Sequence, residues 1–290
     1  MVPAVVRLFG FSLLLVARAG AQNFSMEHKI EKIAGGFHYI GGLAWSHDGH
    51  LYISDGPSGK VQQWTPGQPA AFLPVALKSP AGLAVDEHGR ILVCEAGARR
   101  IVRIKADNTL DVLAAAFDGH PLNSPNDLAV RKDGTIFFTD PAFGSASDTM
   151  ALSFHGLYRL NARKEILALA RWNTRPNGIA LSPDGKTLYV AMSDERAVHA
   201  FDLDRQGNVS NERVLINGIE GVPNALQTDG KGRLYLAAHK VFVYSPEGKP
   251  LGQIETAERP LSLAFDEAGQ QVLFVATRTS IYRVAFEQQR

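Results

Sequence analysis

Pro125-Asn126-Asp127-Leu128-Ala129-Val130-Arg131-Lys132-Asp133-Gly134-Thr135-Ile136-Phe137-Phe138-Thr139-Asp140 is the stretch from which the fold can be read. It holds a short apolar run, an Asp-Gly turn and a second run rich in aromatic and β-branched residues, the pattern of two antiparallel strands. The unit recurs. Its first segment begins at Gly42, Gly82, Asp127, Gly178, Ala225 and Ser262, and in each copy a turn glycine follows seven residues later, from Gly49 to Gly269. Successive copies lie 37 to 51 residues apart, the period range of propellers and solenoids.

After each turn comes a second run, such as Leu51-Tyr52-Ile53 or Leu234-Tyr235-Leu236, and in most copies a third, such as Ile101-Val102-Arg103-Ile104. Segments such as Asp111-Val112-Leu113-Ala114 supply a fourth. Four antiparallel strands per copy and six copies predict an all-β fold, a six-bladed β-propeller. A two-sheet sandwich would have no need of six similar units. The repeats leave no linker or composition break, so residues 22–290 are expected to form a single propeller domain.

With Lys+Arg 30 against Asp+Glu 29 and a net charge of +1, the chain has no basic surplus for nucleic acid. A small polar substrate or ligand is the expected partner, and a monomer or weak oligomer the expected state. Residues 1–21 differ in kind: Arg7 gives a positive start, Leu8 to Ala17 is a short apolar run, and Ala19-Gly20-Ala21 is a small-residue cleavage signal before Gln22. A signal peptide and export to the periplasm or medium follow, the alternative being an uncleaved anchor. No stable membrane span is expected elsewhere. Cys94, the single cysteine, lies in a strand run and reads as a buried, inert thiol.

Equivalent positions of a propeller form circles around its central channel. The residue before each first strand segment is Gly41, Ala81, Asn126, Asn177, Asn224 and Leu261, and five of the six follow a proline. Three adjacent blades thus present carboxamides at one end of the channel. A second circle, at the ends of the second runs, is Asp55, Glu95, Asp140, Met192, Ala238 and Thr277. Asparagine after proline is also a common turn residue, and a strand-end carboxylate often satisfies loop amides. Three carboxamides at one register nevertheless point to a functional face. His120 and His155 lie in loops assigned to the same face, without metal-binding spacing, and no Gly-x-Ser-x-Gly elbow is present.

The segments Leu122-Asn123-Ser124-Pro125-Asn126-Asp127-Leu128, Arg175-Pro176-Asn177-Gly178-Ile179-Ala180 and Thr279-Ser280-Ile281-Tyr282-Arg283 resemble the six-bladed lactonases that include senescence marker protein 30 and bacterial gluconolactonases. That resemblance implies hydrolysis of sugar lactones or related esters at one divalent cation, Ca²⁺ or Zn²⁺. It assigns Asn177 as a metal ligand and Asn126 as a substrate contact. The family's two ligand carboxylates fall at Gly41 and Asn224, so both are missing and the metal site is expected to be degenerate. Asn224 is left as a metal and catalytic position without a proton-accepting group. Asp127 becomes the first candidate for activating water, and Asp140 and His120 complete the substrate-binding candidates. Two functions remain: a gluconolactonase-like hydrolase, or a propeller that binds a small polar ligand without turnover.

Overall fold

Four of the inner strands end in the same tight connection, closed from Ser46 to His50, Asp86 to Arg90, Arg131 to Thr135 and Asp229 to Arg233, with a glycine in the left-handed turn position. In the second copy Asp86 N–H donates to Arg90 O, Gly89 takes φ +72°, and the Asp86 carboxylate accepts the His88 and Arg90 amides. Asp229 and Gly232 repeat the arrangement in the fifth copy. A type I turn followed by glycine returns the chain antiparallel at once.

The computed structural model describes residues 28–143, 150–266 and 271–286. Among these, six four-stranded antiparallel sheets stand as blades around a channel, and no helix is long and apolar enough to cross a membrane. The inner strands are Ile40–Trp45, Pro80–Val85, Leu128–Val130, Pro176–Leu181, Leu226–Thr228 and Ser262–Phe265, which number blades 1 to 6. The all-β six-bladed propeller read from the repeats is the fold observed. The sixth copy's turn glycine, Gly269, and the leader read in residues 1–21 lie outside the described residues.

The seam was not legible. In blade 6 the outermost strand is His28–Gly35, paired antiparallel with Ser280–Phe286 from His28 opposite Phe286 to Gly35 opposite Ser280. The two ends of the described chain therefore share one sheet, and Leu43 N–H donates 3.0 Å to Ser262 Oγ to join blade 1 to blade 6 at the channel.

Packing between blades forms the core. Leu92, Cys94 and Ile101 of blade 2 cluster with Leu128, Phe138 and Tyr158 of blade 3, and Phe138 stacks on Tyr158 at 5.1 Å. Cys94 is wholly buried there, and burial pushes its thiol well above the ordinary range, consistent with an inert side chain.

Candidate functional site

All six residues of the first circle line one cavity of about 860 Å³ at the mouth of the channel. A β-bulge at the start of five of the six inner strands contributes to this. In blade 3, Asn126 N–H donates to Thr139 O while Thr139 N–H donates to Asp127 O, so two residues oppose one. Asn224 and Ala225 oppose Ala237 in the same way, and register shifts mark the bulge between Ile40 and Gly42, Pro80 and Leu83, and Pro176 and Ile179. A bulge re-aims the side chain that would otherwise continue the strand's alternation.

The bulges also tie neighbouring blades together. Gly82 N–H donates to Asn126 O and Gly178 N–H to Asn224 O, both at 2.7 Å. Ser54 Oγ donates to Ala81 O at 2.6 Å, and Thr139 Oγ1 to Asn177 O at 2.7 Å. The backbone behind every carboxamide is thus held by the preceding blade. These approaches leave no room for side chains at Gly41, Gly42, Gly82 and Gly178. A Cβ on Gly178 would lie 2.1 Å from Asn224 O, and one on Gly41 would lie 2.9 Å from Ala81 Cα and 3.1 Å from Pro80 O.

The carboxamides are not equivalent. Asn177 Nδ2 donates to Asn224 Oδ1 at 2.8 Å, Ser193 Oγ at 3.0 Å and Pro223 O at 3.3 Å. That arrangement turns Asn177 Oδ1 and Asn224 Nδ2 away from each other, leaving one acceptor and one donor. No hydrogen bond joins the Asn126 side chain to another described residue, although Asn126 lines the cavity.

Asp127 is not among the lining residues. Its Oδ1 accepts Leu128 N–H at 3.0 Å and its Oδ2 accepts Ile179 N–H at 3.1 Å, so the carboxyl bridges blades 3 and 4 beneath the rim. Burial pushes this carboxyl up to about 7, against the pull of the two amides.

The second circle does not reach the cavity. Asp140 is fully buried, with Oδ2 accepting Asn123 N–H at 2.8 Å and Oδ1 accepting Ser124 N–H at 2.7 Å, and burial pushes it up to about 7. Asp55 accepts the His38 and Tyr39 amides, and Glu95 accepts Lys78 N–H and Arg100 Nε. In all three blades the strand-end carboxylate caps the loop that enters the same blade. His120 is exposed on a small hairpin, Ala116–Phe117 against His120–Pro121, and is also absent from the lining.

One residue further along each second strand the side chain faces the other way. Gly56, Ala96, Ser193 and Arg278 occupy that position and do line the cavity. Arg278, Arg259 and the pair Arg175 and Asp194 were missed by the sequence reading, and extending the register by one residue would have found Arg278. Arg175 donates through Nε and Nη2 to Asp194 at 2.5 to 3.1 Å and stacks over Phe143 at 5.1 Å. Among the described residues no three His, Cys, Asp or Glu side chains group as metal ligands. A second cavity, of about 530 Å³, lies at the opposite ends of the inner strands and is lined mainly by apolar residues such as Leu43, Trp45 and Phe265.

The chain is similar to a gluconolactonase from Zymomonas mobilis, at 30% identity over 287 residues, covering 88% of this chain and 80% of that protein. A lactonase from Staphylococcus saprophyticus is 28% identical over 196 residues, covering 61% of this chain and 56% of the relative. The solved structure of a gluconolactonase from Xanthomonas campestris superposes with a TM-score of 0.83 at 29% identity and 92% coverage of each chain. The family model described as the SMP-30/gluconolactonase/LRE-like region matches residues 42–279, and the chain belongs to that family.

Proposed function

We propose that this propeller is a lactonase-type hydrolase acting on a small polar lactone or related ester at the mouth of its channel. The observation that carries this reading is the convergence of Asn126, Asn177 and Asn224, from three successive blades, on one cavity of about 860 Å³. The similarity to gluconolactonases and lactonases supports the reaction class.

Hydrolysis adds water to the lactone carbonyl carbon, breaks the ring C–O bond and moves one proton from the water to the leaving alkoxide. Asn126 Nδ2 and Asn224 Nδ2 are donors able to face the carbonyl oxygen as it becomes negative, the preorganised arrangement that stabilises an oxyanion. Asn177 Oδ1 remains to accept from a substrate hydroxyl. Asp127, with a carboxyl near 7, has the proton affinity a general base needs at neutral pH. Its oxygens already hold two amides, so in this scheme it takes the proton through an intervening water. Asp140 and His120 contact no substrate here, because one caps a loop and the other stands outside the cavity.

A resident Ca²⁺ or Zn²⁺ does not fit the donor set. Calcium takes six to eight oxygens and is tuned by carboxylates, whereas this rim offers carboxamides, one of which has its oxygen engaged by Asn177, and a single described carboxylate, Asp194, that is paired with Arg175. The Gly41 position has no space for a ligand side chain on this backbone, and arginines share the lining.

The test is hydrolysis of D-glucono-1,5-lactone above the buffer rate. Asn126→Ala should lower the rate about 10²- to 10³-fold, the effect of removing an oxyanion donor, and a chelator should leave the wild type active. Ligand-dependent stabilisation without hydrolysis would mark a binding propeller instead. Export is proposed with this function, and mass spectrometry of the chain made with its leader should find Gln22 at the amino terminus.

A further inference from the structure

Among the described residues four charged side chains line the cavity; Arg175 and Asp194 satisfy each other, and the remaining two are cations. Arg259 is pinned at the rim by donating from Nη2 to Val222 O at 3.0 Å and from Nε to Ala238 O at 3.3 Å. Two of its five N–H donors are used on backbone, and three remain. Arg278 stands on the turn between the second and third strands of blade 6, where its backbone carbonyl accepts Ile40 N–H at 3.1 Å. Among the described residues no carboxylate pairs with either guanidinium. Glu258, next to Arg259 in sequence, is occupied by the hydroxyls of Thr277, Thr279 and Ser280 at 2.7 to 3.2 Å.

The placement is directional. In a ring of six blades, blade 6 stands across the channel from blade 3, so these two arginines face Asn126 from the opposite side of the mouth. One end of a bound molecule meets the two guanidinium groups, of which Arg259's is held in place, and the other meets Asn126. Guanidinium forks match the planar geometry of carboxylate and the oxygens of phosphate, and two cations in a concave site concentrate anions there.

We infer that the cavity takes a sugar-acid-like ligand whose anionic group, carboxylate or phosphate, is held by Arg259 and Arg278 while its hydroxyl-bearing body reaches the carboxamides. This rests on the mouth cavity being the substrate site and adds the class of substrate: a lactone that carries a second, acidic group. The hydroxy-acid product would keep its acidic group at the arginines, while the carboxylate formed by ring opening arises at the carboxamides.

The test is equilibrium binding, read by calorimetry and thermal shift on the whole protein, so that no turnover is required. D-glucarate, D-gluconate, 6-phospho-D-gluconate and neutral D-sorbitol are the probes. At least one of the three anions should bind about tenfold or more tightly than sorbitol, with affinity falling as ionic strength rises. A preference for 6-phospho-D-gluconate over D-glucarate identifies phosphate as the anionic group, and the reverse identifies carboxylate. Arg278→Gln, which breaks no hydrogen bond among the described residues, should weaken the favoured anion about tenfold or more while its melting temperature without ligand is unchanged. Arg259→Lys, which keeps charge but loses the fork, should weaken it less than Arg259→Gln. Equal binding of sorbitol, absence of anion binding, or an Arg278→Gln variant that binds as the wild type does overturns the inference. Anion binding that depends on Arg278 without any lactone hydrolysis leaves the inference standing and removes the proposed reaction. Hydrolysis of a neutral lactone with no anion preference does the reverse.

Discussion

Replacing Asp127 by Asn should change how the stability of the propeller depends on pH, by an amount that follows from where the carboxyl sits. In the folded protein burial raises this group from its ordinary 3.8 to about 7. Between those two values the folded chain keeps a proton that the unfolded chain releases. The stability this proton confers is therefore complete below about 3.8 and is lost as pH rises through about 7. At about 1.36 kcal/mol per pH unit, the loss between pH 4 and pH 8 is on the order of 4 kcal/mol. An asparagine cannot ionise. It keeps one acceptor for the Leu128 or Ile179 amide and sets its own N–H against the other, a fixed cost of about 1–3 kcal/mol. Urea denaturation of both proteins at pH 4, 5, 6, 7 and 8 gives the difference in unfolding free energy at each pH. The variant should be the less stable at pH 4 and should gain on the wild type by roughly 4 kcal/mol by pH 8. Asp140, also raised to about 7, is present in both proteins and drops out of the comparison. A difference that stays flat to within about 1 kcal/mol across the series would refute the reasoning, because it would mean that the two amides hold the carboxyl ionised at its ordinary value.

Gly178→Ala should destabilise by about 2–4 kcal/mol in chemical denaturation, combining overpacking with loss of the 2.7 Å bond to Asn224 O. It should also lower lactone turnover, since Asn224 must move. Ser54→Ala removes the donor to the part-buried Ala81 O, a loss of about 1 kcal/mol. That loss should appear in urea melts with an unchanged m-value. The Asp133 carboxyl, which Arg131 and Thr135 hold down at about 2 against the upward push of burial, contributes stability that is present above its ordinary 3.8 and lost as pH falls through about 2. Asp133→Asn should flatten that part of the acid-denaturation curve, measured by circular dichroism.

The fold was legible because each copy repeats the same local solution, an apolar run, a capped turn and a glycine, and local chemistry suffices to close a hairpin. The first circle was legible for the same reason: Asn126, Asn177 and Asn224 occupy one register position, and a bulge at that position keeps them in register in space. The second circle was assigned to the same face because its level along the channel was right. Strand alternation turns Asp55, Glu95 and Asp140 onto the loops behind the rim instead, and brings forward the next residue in Gly56, Ala96 and Arg278. Arg259 could not be read from the pattern at all, since its place depends on donating to two carbonyls, Val222 O and Ala238 O, of a neighbouring blade. The closing strand was missed because His28–Gly35 belongs to no repeat and finds its partner only in space.

That closing strand has a kinetic consequence. Pairing His28 with Phe286 joins residues from opposite ends of the described chain, the most distant contact the topology contains and the one with the largest loop to close. Five blades can form from neighbouring segments as they emerge, but the circle cannot shut until the strand Ser280–Phe286 has been made. Until then both flanks of the array expose unpaired edges, so the slow step of folding, and the first place to open under load, should be the seam.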